Sequence, residues 1–226
     1  MLLTGFPAGM LACNCYVLAP RAGGADAIVV DPGQRAFATL RRILDENRLT
    51  PPAAVLLTHG HIDHIWSAQK VGDTFGCPVY IHPPEDRFML ADPIRGFGPR
   101  LGQIALGALF REPKQVVELH RDGGDKIELG GITVTVDHTP GHTKGRWCSG
   151  WIAPEDGIRW RSPATRCSNN RSAVPICRAA AAATCWARSS KKLLVLDDDT
   201  LVLPGHGAST TIGLERRTNP FLEGLK

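Results

Sequence analysis

Six of the eight histidines in this 226-residue chain cluster in three short motifs. "THGHIDH" carries His59, His61, Asp63 and His64; "HTPGH" runs from His138 to His142; "LPGHG" carries His206. Imidazole nitrogen and carboxylate oxygen suit zinc at about 2.0–2.2 Å, and a catalytic zinc takes three protein ligands and keeps one open position. In the loop after a strand, alternation turns His59 and His61 toward one point. Asp63 and His64, at the start of the next helix, face a second. The other motifs complete the triplets: His59, His61 and His142 around one ion, Asp63, His64 and His206 around another. Two ions ~3.5–4 Å apart could share one hydroxide, since zinc lowers the pKa of bound water to about 7. That hydroxide, not a side chain, is the expected nucleophile, and the ions would polarise a substrate carbonyl. Asp63 is assigned as a catalytic residue as well as a ligand. His82 and His120 read as ordinary surface or core histidines, and His138, at a strand end, as structural or as a support behind the ligands.

The elements that must position these residues read as an α/β alternation. "NCYVLAP" and "DAIVVDPG" are two strands of an opening hairpin, rich in β-branched residues and bracketed by Pro and Gly. "RAFATLRRILDENRL" sets Phe37, Leu40, Ile43 and Leu44 at helical spacing and stops before Pro51 and Pro52. "AAVLLTHG" is a short apolar run that ends in polar residues, as a buried strand feeding a loop does. "IWSAQKVGDTFG" reads as one helix closed by Gly76, followed by the strand "CPVYIH". Residues 84–112 are broken by Pro93, Gly96, Gly98 and Pro99, so a bent helix or lid is expected there. "QVVEL", "DKIEL" and "ITVTVDH" are short strands, "KLLVLDDDTLVLPGHG" supplies another, and "ERRTNPFLEGL" a terminal helix or turn. No repeat or linker divides residues 1–226, which are read as a single domain.

Composition excludes several classes. The chain is 43% apolar, enough for a sizeable core, and its longest apolar run falls short of the ~20 residues of a membrane span. Seven cysteines without CxxC pairing suit free thiols in a reducing compartment, and a cytoplasmic protein is expected. The net charge of +4 arises in residues 146–190, where seven arginines face only Glu155 and Asp156. That segment lacks the basic and aromatic interleaving of nucleic-acid modules, so neither nucleic acid nor membrane is an expected partner.

"DPG" at Asp31–Gly33, "THGHIDH", "HTPGHT", "LPGHG" and "ERRTNPFL" together make the chain resemble metallo-β-lactamase-fold hydrolases, in particular the glyoxalase II-like (hydroxyacylglutathione hydrolase-like) branch. The resemblance implies a four-layer αββα sandwich with two divalent ions at one edge, zinc foremost, with iron or manganese as alternatives. It also implies the six ligands named above and hydrolysis of a small-molecule thioester. Only about 20 residues follow His206, fewer than the family's glutathione-binding helical region, so glutathione itself is not the expected carrier.

The family also places a metal-bridging aspartate in a "GDTLF"-like strand end between "HTPGH" and "LPGHG", and this chain has none there. Residues 146–190, including "RWRSPATRCSNNRSAVPICRAAAAATCWARSS", are expected to be disrupted or disordered. One consistent choice of plausible GC-rich codons for the segment, read one base out of register, gives a family-like string with "GDALF", its aspartate at the position of Thr165. The segment therefore reads as frameshifted. As it stands, Arg159, Arg161 and Arg166 fall in or near strands that should be buried, at a cost of several kcal/mol per unpaired charge. The expected activity is metal-dependent thioester hydrolysis. The alternatives are an inactive metal-binding relic and an iron-dependent persulfide dioxygenase, which would use two histidines and the missing aspartate.

Overall fold

The computed structural model describes residues 1–81, 87–92, 110–119, 125–138, 147–152, 159–161, 195–219 and 222. The first sheet runs in the order β1 (Leu2–Ala8), β2 (Cys13–Ala19), β3 (Ala27–Val30), β4 (Pro52–Leu56), β5 (Val79–Ile81) and β6 (Val116–Glu118). The second runs β12 (Thr210–Thr211), β11 (Leu201–Val202), β10 (Arg159–Arg161), β9 (Trp147–Ile152), β8 (Ile132–His138) and β7 (Asp125–Leu129). The helices are α1 (Ala36–Glu46), α2 (Ile62–Ile65), α3 (Ala68–Phe75), α4 (Phe88–Ala91) and α5 (Ile212–Thr218).

Period-two alternation divides the first sheet between two cores. Val17, Val29, Val55 and Val79 join Leu40, Ile43 and Leu44 of α1 and Val71 of α3 on one face. Leu18, Ile28, Val30 and Leu56 meet Leu129, Ile132, Val134 and Val136 on the other, which is the seam between the sheets. Just past β11 Leu203 packs into that seam, while Val202 joins Leu196 and Ile212 of α5 on the outer face. The layers are thus helix, sheet, sheet, helix, the expected αββα sandwich. Each fully buried Val, Leu or Ile contributes about 1.5–3 kcal/mol, so these seams hold the sheet ends where the functional loops leave them.

The opening hairpin of β2 and β3 pairs antiparallel, Tyr16 opposite Val30. A further strand, β1, is not among the elements named from the sequence. It lies at the sheet edge, where Pro is tolerated. Gly5 is required there, since a Cβ would come within 2.6 Å of the Tyr16 ring. The single helix expected over "IWSAQKVGDTFG" is two, α2 and α3, parted at Trp66–Ser67. The break has a cause in the loop before α1: Ser67 donates its N–H to Pro32 O at 2.8 Å and its hydroxyl to Gly33 O at 2.7 Å. Among the described residues, the strand expected from "KLLVLDDDTLVLPGHG" is Leu201–Val202, with turns before it from residue 195; residues 192–194 lie outside them. Of residues 84–112 the structure describes 87–92, which hold α4, and 110–112; the bent helix or lid expected around Pro93–Pro99 lies outside the described residues. Of residues 146–190 it describes the backbone of β9 and β10, which places Arg159 and Arg161 in a strand, as expected. The rest of that segment, with Thr165 and Arg166, lies outside the described residues.

Candidate metal centre

The site gathers where strands end. β3 runs straight into Asp31, β4 leads through Leu57 into Thr58 and His59, and α2 begins with Asp63 and His64 in its first turn. The carboxyl ends of parallel strands are the usual mouth of an α/β sheet. His206 arrives from the second sheet, on the loop after β11, and forms an isolated antiparallel bridge with Cys13 at the start of β2.

Three donor atoms converge. Nε2 of His206 lies 3.0 Å from Oδ2 of Asp63 and 3.2 Å from Nε2 of His64, and Nε2 of His64 lies 3.6 Å from the same Oδ2. Ligand atoms about 2.1 Å from one tetrahedral zinc stand about 3.4 Å apart, so this triangle has the size of a single coordination sphere. The imidazoles of His59 and His61 stand beside it, with ring centroids 4.5 Å apart, and the His59 ring is 4.2 Å from that of His64. His142, predicted to share the ion of His59 and His61, lies outside the described residues, as do His82 and His120; His138 ends β8.

One buried carboxylate orders the imidazoles from behind. Asp31 accepts on Oδ2 from Nδ1 of His64 at 2.8 Å and from the Thr58 hydroxyl at 2.6 Å, and on Oδ1 from the Thr58 N–H at 2.8 Å. With the Thr58 hydroxyl proton given to Asp31, the 3.0 Å contact between Thr58 Oγ1 and His59 Nδ1 requires the histidine to donate. Both rings therefore carry their proton on Nδ1 and keep the Nε2 lone pair for the site. His206 is oriented by its Nδ1, which donates to Leu11 O at 3.0 Å, and it faces Asp63 Oδ2 with Nε2. Asp31 turns its side chain into this position with φ 47, a left-handed conformation that Asp adopts more readily than most residues. None of these supports is visible as a motif, although the quoted "DPG" and "THG" contain two of them.

Two glycines clear the space. A Cβ on Gly205 would fall 2.7 Å from Cε1 of His64, and one on Gly33 would fall 2.3 Å from the carbonyl oxygen of Asp63. Charge follows the geometry. Burial pushes the Asp63 carboxyl up, but the His206 hydrogen bond and the charges of His64 and His206 outweigh it and hold the group down to about 2. The Asp63 hydrogen bond raises His206 above its ordinary value against the opposing effect of burial. Cys13 also approaches, and one donor atom each from Cys13, His64 and His206 lies within 4.8 Å. Its Sγ, however, meets Nδ1 of His64 at 3.4 Å, on the far side of the ring from the triangle. Burial first, then the charges of Asp31, Asp63 and Cys15, push its thiol well up, so in the metal-free chain it stands as a protonated neighbour of the triangle.

A two-sheet α/β sandwich with imidazoles and a carboxylate converging at one edge defines a metallohydrolase class. A family model described as the metallo-beta-lactamase superfamily matches residues 8–150, and the chain belongs to that superfamily. It is 30% identical over 204 residues to the hydroxyacylglutathione hydrolase GloC of Haemophilus influenzae, covering 87% of each chain. Among solved structures it is similar to the BLEG-1 B3 metallo-beta-lactamase, at TM-score 0.74 and 30% identity over 99% of this chain and 100% of that one. It is also similar to TTHA1623, solved in a di-iron-bound form, at TM-score 0.67 and 31% identity over 97% of this chain and 100% of that one. Among the described residues no helix is long and apolar enough to cross a membrane.

Proposed function

We propose that this chain is a metal-dependent thioesterase of the glyoxalase II-like kind, taking two divalent ions and a small-molecule thioester. The ions, zinc foremost and iron as the alternative, would be held by His59, His61 and His142 and by Asp63, His64 and His206. The observation that carries this reading is the triangle of Asp63 Oδ2, His64 Nε2 and His206 Nε2, each 3.0–3.6 Å from the next. The likeness to GloC favours a hydroxyacyl thioester, and the di-iron form of TTHA1623 favours two ions. Bound there, the ions would polarise the thioester carbonyl and lower the pKa of the attacking water.

The chain's own groups prepare that chemistry. Asp31, with Thr58 as intermediary, keeps the Nε2 atoms of His64 and His59 free of protons, so that both offer lone pairs. Leu11 O takes the Nδ1 proton of His206, so that Nε2 is the nitrogen that would give up its proton to an ion. Asp63, ionised down to pH of about 2, stays an acceptor for a ligand or for a water proton across the working range.

The proposal includes the frameshifted reading of residues 146–190. Resequencing codons 146–190 is expected to return an uninterrupted frame that encodes "GDALF", with the bridging aspartate at position 165. Purified, metal-loaded protein with that aspartate is expected to hold about two ions and to release thiol from a 2-hydroxyacyl thioester. One ion or fewer without turnover would make the chain a metal-binding relic. Oxygen consumption with a persulfide and iron would make it a dioxygenase.

A further inference from the structure

His206 is the one ligand of the triangle that does not come from the first sheet or from α2, so its placement depends on how the loop at 203–209 is fastened. The fastening comes from the other end of the chain. Asn14 Nδ2 donates to Pro204 O and to Gly207 O, each at 2.8 Å, and the Tyr16 hydroxyl donates to Pro204 O at 2.7 Å. The Asn14 N–H adds a bond to Gly205 O at 2.7 Å. Three carbonyls of the four residues Pro204–Gly207 are thus taken by two residues of β2.

Strand alternation explains how two side chains can share this task. Asn14 and Tyr16, two apart, point to the same face of β2, the face that meets the second sheet, whereas Cys15 between them packs with the helices. Tyr16 is only 8% exposed. A hydroxyl so buried is costly unless it is bonded, and a phenylalanine would fill the same seam without that requirement.

We propose that Asn14 and Tyr16 are positioning residues for His206: by clamping Pro204 and Gly207 they set where its Nε2 meets Asp63 and His64, and so set the affinity of one of the two metal positions. The inference rests on the metal-holding reading above. The loop reverses at Gly207, with φ 82, so its carbonyls depend on donors from outside it. Freed from the clamp, the loop could swing His206 away while Asp63 and His64 stayed fixed through α2.

The test is metal binding by the full chain, with no activity needed. Metal-depleted wild type, Tyr16→Phe, Asn14→Asp and His206→Ala are titrated with Zn(II) against a chromophoric chelator, and the absorption of the cobalt-substituted forms is recorded. Tyr16→Phe and Asn14→Asp are expected to weaken one metal position about 10–100-fold, in the same position as His206→Ala, with the other position unchanged. Their cobalt spectra should shift toward that of His206→Ala. Wild-type affinities and spectra in both variants, beside a clear loss in His206→Ala, would overturn the positioning role and leave the site reading standing. Unchanged binding in His206→Ala would overturn both. Tyr16→Phe removes one oxygen from an intact ring, so it decides the matter alone if Asn14→Asp fails to fold.

Discussion

Asp31 and His64 are joined by a 2.8 Å hydrogen bond between two side chains that are each 2% exposed. The same carboxylate oxygen takes the Thr58 hydroxyl, so one residue outside the proposed ligand set governs the proton positions of two residues inside it. Asp31→Asn keeps the shape but turns one acceptor oxygen into a donor, and it cannot satisfy both His64 and Thr58. Metal affinity should fall about 10–100-fold, and about 1–3 kcal/mol of stability should go with the lost buried acceptor. Chelator competition and urea unfolding read the two effects. If neither moves, the account of the tautomers is wrong.

The two glycines at the site should behave differently from one another. In Gly205→Ala the new methyl meets the edge of the His64 ring, which can tilt, so the cost should be about 1–3 kcal/mol with a weakened metal position. In Gly33→Ala the obstacle is the Asp63 backbone carbonyl at 2.3 Å, which cannot move without carrying the start of α2 with it. A larger drop in melting temperature is therefore expected for Gly33→Ala. A thermal scan of the two variants decides the order, and equal drops would contradict it.

How much of this could be read in advance follows from the range of the forces involved. α1 was legible because Leu40, Ile43 and Leu44 repeat on one helical face and bury there. Asp63, His64 and His206 were legible as a group because their chemistry lies in residue type, and type survives in a string of letters. The parting of α2 from α3 was hidden, since the Ser67 bonds that cause it reach back to Pro32 and Gly33. Asp31 and Thr58 were hidden as a pair because their contact exists only once β3 and β4 lie side by side. Asn14 and Tyr16 were further hidden, acting across 188 or more positions. β1 carries Gly5 and Pro7, which weaken the local strand pattern, and its place at the sheet edge tolerates both.

The Asp63–His206 pair predicts how stability of the metal-free protein depends on pH. Asp63 is lowered from 3.8 to about 2 in the fold, so its contribution is present above pH 3.8 and is lost as pH falls through about 2. His206 is raised above 6.5, so its contribution is present below pH 6.5 and is lost as pH rises through the folded value. The pair should therefore give a plateau between about pH 3.8 and 6.5, falling away on both sides. Urea unfolding of chelator-treated protein across that range measures it. Asp63→Asn should flatten both limbs, and a wild-type profile in that variant would show that the pair does not control them.

Metal removal should act on stability in the direction that mass action requires. An ion that binds only the folded chain adds RT ln(1 + [L]/Kd), about 2.7 kcal/mol at a hundredfold excess over Kd. The donors are poised for it: Asp63 is ionised, and His64 and His206 already present Nε2 to the same point. Loading also exchanges the His206 proton for the ion, so the gain should grow as pH rises from 5 to 8, against the trend of the metal-free pair. Melting of the chain with zinc and with excess chelator should differ by several degrees at pH 8 and by less at pH 5. His64→Ala, which removes one corner of the triangle, should shrink that difference at both values. A difference unchanged by pH and retained in His64→Ala would mean that the ion binds elsewhere.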